Sequence, residues 1–250
     1  MKSKYSKMVI AHRGASGLVK FENTLEAFEK AIEVGADSIE CDIRRTKDNV
    51  IIINHDPEIL GLTIKDQTYE KLNEETTKIG YHLPTLKEAL NLVKGKILID
   101  IEIKEVGYED DILKEILSVL NIDEFYVRSF YDSSIIKIKE LNKDVTTVLL
   151  LGVGNPKHLL RTRFSELFPK RRIKKTGCDI VSPYYKLLIN GYCKRIHKLN
   201  KPVLVWGVNT ETEIIDVTRN KGADGVITNY PDLAISIFST RNHHWKNGGL

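Results

Sequence analysis

Eight short apolar runs, separated by amphipathic stretches, constrain this chain more than any other feature. The runs are 8–12 (MVIAH), 37–42 (DSIECD), 97–103 (ILIDIEI), 125–129 (FYVRS), 146–151 (TTVLLL), 179–183 (DIVSP), 202–208 (PVLVWGV) and 225–228 (GVIT). Between them lie helical patterns such as NTLEAFEKAIEVG, YEDDILKEILSVL and TETEIIDVTRNKG. Several open on Asn, Thr or Ser and close on Gly or Asn, as capped helices do. Strand and helix alternating in this way call for a parallel sheet with helices packed outside it. At 250 residues the chain is the length of one α/β barrel, and no Pro/Gly/Ser-rich linker divides it.

A ninth run, NVIIINHD at 49–56, follows the second after only a few residues. Parallel neighbours need a crossover of a dozen residues or more, so this run is expected to fold back as the second arm of an antiparallel hairpin turning near Lys47–Asp48–Asn49. The expected fold is therefore α/β, a (β/α)8 TIM barrel with a β-hairpin extension after strand 2 above the C-terminal rim. A single domain is expected over 1–250, with 43–83 as hairpin and active-site insertion and 241–250 as a flexible tail. The hairpin should return His55 to the C-terminal face, close to Asp42, where such barrels place their chemistry.

Several functional classes fall away on composition. No apolar run approaches the ~20 residues of a membrane-spanning helix. The basic N-terminus MKSKYSKMVIAHRG has too short an apolar part for a signal peptide. Three cysteines, Cys41, Cys178 and Cys193, have no metal-ligand spacing and read as reduced buried thiols of a cytoplasmic protein. A net charge of +4 is too mild to argue for or against nucleic acid.

Polar residues gather where the first strands end. The first run ends in His12 and Arg13, the second holds Glu40 and Asp42, the hairpin returns His55 and Asp56, and the third run brings Asp100, Glu102 and Lys104. Spacing of i,i+2 puts each carboxylate set on one face of its strand. Taken singly, each has an ordinary structural reading. Together, Glu40, Asp42 and Glu102 lie in strongly apolar strands and would repel one another without a cation among them. An all-oxygen set suits one hard divalent ion, Mg²⁺ or Ca²⁺. Arg13 and Lys104 beside it suit a phosphate, and two imidazoles supply a base and an acid. The combination points to metal-assisted displacement at phosphorus.

The ordered set AHRGASG (11–17), ENTLEAF (22–28), IECDIRRTKD (39–48), HD (55–56), LPTLKEAL (83–90), IEIK (101–104), WGVN (206–209) and DGVITNYP (224–231) resembles the glycerophosphodiester phosphodiesterase family over most of the chain. The resemblance implies a metal-dependent hydrolase releasing sn-glycerol 3-phosphate and an alcohol from a small-molecule glycerophosphodiester. It implies Glu40, Asp42 and Glu102 as metal ligands, His12 and His55 as the general acid/base pair, and Arg13 and Lys104 as phosphate-binding cations. Glu22 matches a rim carboxylate that orients Arg13 or a substrate hydroxyl, and Trp206 an aromatic wall of the pocket. Asn23 is expected to cap the first helix. The nucleophile is either water or the neighbouring glycerol hydroxyl. Phe21 stands where the family usually has proline, Asn54 where histidine is frequent, and the segment after HD is short. These departures leave the choice of alcohol open.

Residues 156–177, PKHLLRTRFSELFPKRRIKKTG, hold eight Lys or Arg against one acid, Glu166, with apolar residues interleaved at helical spacing. One reading is the barrel's fifth helix with a solvated outer face. The other is peripheral contact with an anionic membrane. Nucleic acid is not expected, because no stacking platform accompanies the charge. The competing activity is phospholipase D-like hydrolysis of lysophospholipids at the same site. A non-catalytic phosphate-binding barrel is disfavoured because both histidines and all three carboxylates are present.

Overall fold

The computed structural model describes residues 7–154 and 156–239. The tail expected at 241–250 lies outside the described residues. Eleven strands form in chain order: β1 Met8–Ala11, β2 Ser38–Arg45, β3 Ile51–Ile53, β4 Glu58–Ile59, β5 Leu62–Thr63, β6 Leu98–Ile103, β7 Phe125–Ser129, β8 Thr147–Leu151, β9 Ile180–Pro183, β10 Leu204–Trp206 and β11 Gly225–Thr228. Eight of them pair in parallel in the order β10-β11-β1-β2-β6-β7-β8-β9. Single bridges Val181↔Val203 and Tyr184↔Trp206 join the two ends, giving a nearly closed barrel. Helices α1 (Leu25–Glu33), α2 (Tyr69–Lys78), α3 (Leu86–Val93), α4 (Glu109–Leu117), α5 (Asp132–Leu141), α6 (Leu159–Leu167), α7 (Lys170–Thr176), α8 (Tyr192–His197), α9 (Glu211–Ile215) and α10 (Pro231–Ser239) fill the connections.

Strand alternation decides which residues reach the barrel interior. Ile39, Cys41 and Ile43 of β2, with Ile99, Ile101 and Ile103 of β6, pack outward into the core shared with the helices. The residues between them, Glu40, Asp42, Asp100 and Glu102, therefore face inward, and all four are buried. Ile10, Tyr126, Val148, Ile180, Leu204 and Ile227 cluster inside the barrel, with the buried Arg128 and Ser182 on the same strand faces as Tyr126 and Ile180. The three cysteines are free and buried.

β3 pairs antiparallel with the end of β2 in the register Ile43↔Ile53, Arg44↔Ile52 and Arg45↔Ile51. Thr46 closes the turn, its N–H bonding Val50 O at 3.0 Å while Asn49 takes φ +64°. Ile52, Ile59, Ile64, Leu72 and Leu83 form a small core of their own within this insertion.

Two local expectations are corrected. The first helix is capped by Thr24, whose hydroxyl accepts from Ala27 N, and not by Asn23. Asn23 instead adopts a left-handed backbone, φ +55°, that turns its side chain toward β2. Residues 156–177 form two helices, α6 and α7, in place of one. α7 buries Ile173 and Thr176, whereas the only buried residue of α6 is Glu166. Among the described residues, no helix is long and apolar enough to cross a membrane.

Candidate active site

The candidate site is built at the C-terminal ends of β1, β2 and β6, where a cavity of about 550 Å³ is lined by His12, Arg13, Glu40, His55, Glu102 and Lys104 among others. β1 is held at its end by His12 N, which donates to Thr228 O at 2.9 Å. The chain then turns with Arg13 at φ +54° and Gly14 at φ +79°. A Cβ at Gly14 would lie 2.6 Å from the backbone carbon of Ala27 in α1. Only glycine lets the turn approach the first helix so closely. Gly14→Ala should cost about 2 kcal/mol or more from overpacking and left-handed strain. Calorimetry should show Tm lower by at least about 4 °C, at about 2–4 °C per kcal/mol for a chain of this size.

Glu40, Asp42 and Glu102 bring carboxylate oxygens within 4.8 Å of one another. Lys104 reaches between two of them, its Nζ 2.9 Å from Asp42 Oδ1 and 2.6 Å from Glu102 Oε1. Arg13 lies on the other side, with Nε 3.3 Å from Asp42 Oδ2 and Nη1 2.5 Å from Glu22 Oε1. Burial acts against charge on Asp42, but Lys104 and Arg13 outweigh it and hold the carboxyl at about 2. Burial and the neighbouring Asp42 push Glu40 well above the usual carboxylate range. Burial also raises Glu102, against the pull of Lys104. The cluster thus holds more carboxylate than its own cations neutralise. Asp42 Oδ1 and Glu102 Oε1 are buried carboxylate oxygens that share the single ammonium of Lys104. These are the donors a hard divalent cation takes, so the set fits such an ion.

Both histidines have Nδ1 engaged. His12 Nδ1 lies 2.7 Å from Asn229 Oδ1, and His55 Nδ1 lies 2.7 Å from Asp56 Oδ1. With those oxygens accepting, the proton is assigned to Nδ1 and each Nε2 is left as the basic nitrogen. His12 Nε2 is 3.9 Å from Glu40 Oε2. Burial, reinforced by Arg13, lowers His12 to about 4, so its imidazole is neutral at pH 7. The hairpin positions His55 through Asn54 N, which donates to Asp42 O at 2.9 Å, and through Arg44 Nε, which donates to His55 O at 2.9 Å.

Two residues sit further out. Trp206 lines the cavity, its ring tilted against Tyr184 at 4.6 Å, with its indole N–H donating to Leu151 O at 3.0 Å. Glu22 lines a smaller neighbouring cleft with Phe21, Asn54, His55 and Tyr81, and meets the main site through Arg13.

Residues 12–233 match the family model of the glycerophosphoryl diester phosphodiesterase family. The chain belongs to this family. A glycerophosphodiester phosphodiesterase of Caldanaerobacter subterraneus is 29% identical over 92% of this chain and 97% of its own. The Thermotoga maritima glycerophosphodiester phosphodiesterase structure superposes with a TM-score of 0.74 at 26% identity, covering 92% of this chain and 98% of that one. A phosphodiesterase of Oleispira antarctica, solved with its product sn-glycerol-3-phosphate, has a TM-score of 0.78 at 20% identity, covering 94% and 97%. Membership in the glycerophosphoryl diester phosphodiesterase family makes the chain a phosphoric diester hydrolase by class.

Four residues of this phosphodiesterase escaped the sequence reading. Asn229, at the end of the neighbouring strand β11, orients His12. Asn23 donates through Nδ2 to Asp42 Oδ2 at 2.9 Å. Arg44 ties the hairpin backbone at His55 to Glu105, its Nη1 2.8 Å from Oε1. Arg128 of β7 lies buried behind the cluster, 3.3 Å from Asp100 Oδ1 and 3.9 Å from Glu40 Oε1. Asn229 lay within a motif already singled out, DGVITNYP. An arginine in the apolar run FYVRS was the available signal for Arg128.

Proposed function

We propose that this protein hydrolyses small glycerophosphodiesters to sn-glycerol 3-phosphate and an alcohol, with one divalent cation, Mg²⁺ or Ca²⁺, held by Glu40, Asp42 and Glu102. The reading is carried by the convergence of that buried carboxylate cluster with two histidines and two cations on one cavity. The product held by the Oleispira relative is in keeping with it.

When bound, the cation supplies positive charge to the phosphate oxygens. Arg13 and Lys104 neutralise the remaining negative charge of the diester, and more so as charge develops in the transition state. Glu22 keeps the Arg13 guanidinium facing the site. His12, neutral and fixed by Asn229, accepts the proton of the attacking hydroxyl at Nε2. His55, entering as the imidazolium, delivers its Nε2 proton to the leaving alkoxide. Burial lowers the His55 pKa, and Asp42 and the Asp56 bond at Nδ1 act against that. Trp206, backed by Tyr184, walls the cavity on the side of the organic group.

The test is a panel of glycerophosphodiesters and lysophospholipids assayed with several divalent ions. Glycerophosphodiester turnover should be abolished by a chelator and restored by Mg²⁺ or Ca²⁺. Turnover indifferent to chelation would overturn the metal assignment. A clear preference for lysophospholipids would move the substrate to the lipid diester, the reading that an exposed apolar helix near the cavity favours.

A further inference from the structure

The amphipathic pattern of α6 is inside out. Its one acid, Glu166, is fully buried, while Leu159, Leu160 and Phe164 on the helix and Phe168 at its end are 57%, 86%, 67% and 53% exposed. Leu160, Phe164 and Phe168 fall at i, i+4 and i+8 and form one stripe. Phe164 and Phe168 touch across it, with ring centroids 5.1 Å apart. A soluble surface scatters such residues singly, whereas a contiguous patch of this kind marks a binding surface.

Polar bonds hold the helix in this attitude. Glu166 accepts from Gly152 N and Val153 N, both at 2.8 Å, and Arg163 Nη1 reaches Glu166 Oε2 at 2.5 Å. Gly152, Val153 and Gly154 line the active-site cavity. Tyr192 and Arg195 of α8 hold the far end, donating to Glu166 O at 3.1 Å and Leu167 O at 3.2 Å. Thus α6 hangs from the lip of the cavity with its apolar side turned outward. The barrel-packing role falls to α7.

Charge selects the occupant. Lys157 and Arg161, next to the stripe, and Lys170, Arg171, Lys174 and Lys175 beyond it are exposed. None of these six has an ion pair among the described residues, whereas Arg163 and Arg172 are committed to Glu166 and Asp132. Apolar side chains flanked by free cations match an anionic bilayer, where the rings and leucines enter the acyl boundary and the cations meet the headgroups.

We propose that α6 is an interfacial anchor that docks this phosphodiesterase on anionic lipid membranes, with the mouth of its cavity beside the lipid surface. The proposal extends the functional reading to where the enzyme works. Its readout is binding, so docking and hydrolysis stand or fail separately.

The experiment is co-sedimentation of the full chain with phosphatidylcholine vesicles, with and without phosphatidylglycerol. The protein should pellet with the anionic vesicles only, and less as salt rises. Leu160→Ser with Phe164→Ser should abolish pelleting while Tm and turnover of a soluble diester stay unchanged. Lys157→Gln and Arg161→Gln should each weaken binding about fivefold. The proposal is overturned if the wild-type chain stays in the supernatant with anionic vesicles at low salt. It is equally overturned if the Leu160/Phe164 variant pellets as well as wild type, or if neutral vesicles bind as strongly. Retention of single-stranded RNA without vesicle binding would reassign the surface to nucleic acid.

Discussion

Replacing His12 by alanine should lower turnover of a glycerophosphodiester by about 10²–10⁴-fold, the range for losing a positioned general base. The loss should fall on kcat more than on KM, because Arg13 and Lys104, the proposed phosphate-binding cations, remain. Loss of His55 should match it in size with an alkyl leaving group, whose alkoxide needs a proton. The two variants should part with a p-nitrophenyl leaving group, which departs without one. His55→Ala should recover much of its rate on that substrate and His12→Ala should not. Steady-state kinetics on the two substrates, with Tm as the folding control, decide the matter. Near-wild-type turnover in either variant would remove that histidine from the chemistry, and equal rescue would remove the division of roles. Asn229→Ala should reproduce part of the His12 loss, since His12 Nδ1 is fixed by Asn229 Oδ1 at 2.7 Å.

Glu40→Gln should make the metal-free protein more stable and the enzyme inactive. Burial and Asp42 raise Glu40 well above its ordinary value. A group raised on folding contributes stability at low pH and loses it as pH climbs through the folded value. At neutral pH Glu40 is ionised in the unfolded chain while folding disfavours that charge, so the group works against the metal-free fold. Glutamine removes that charge and can still accept from Arg13 N, as Glu40 Oε2 does at 3.0 Å. Each kcal/mol recovered should appear as about 2–4 °C in Tm. The rise should shrink as pH falls into the carboxylate range, where the wild-type group is protonated. The same substitution takes away a candidate ligand, so metal affinity should fall by more than the ~10–100-fold that outer-shell losses cost. Calorimetry with and without Mg²⁺ reads both effects. Wild type should be stabilised by the ion and the variant should not. A variant still stabilised by Mg²⁺ would show that Glu40 is not a ligand. Because Glu40 and Glu102 are both raised, binding of the ion to wild type should release protons and weaken as pH falls.

Much of this site was legible in the chain because it rests on strand alternation. Glu40, Asp42 and Glu102 stand two apart from one another or from Asp100, between residues that the helices cover, so inward placement follows from a period of two. The short TKDN connection excluded a parallel neighbour, and β3 pairs antiparallel with β2, with Asn54 N on Asp42 O. Asn23 was misread because its backbone is left-handed, and a helix-cap pattern does not reveal that. Thr24, one residue on, makes the cap equally well. The basic 156–177 stretch showed its composition but not its orientation. Helical spacing locates a stripe without saying which side the barrel covers.

By itself the sequence determined the eight-strand barrel, the faces on which the carboxylates stand, and the family, because these follow from local periodicity and ordered motifs. Only the tertiary structure decided what those residues touch. Asn229 meets His12 across 217 positions and Ser182 meets Arg128 across 54. Such pairs leave no local pattern, since closure of the barrel is what brings them together. The inverted α6 has the same origin. Two backbone N–H groups at the end of β8 need an acceptor, Glu166 supplies it, and the helix turns its acid inward and its phenylalanines out.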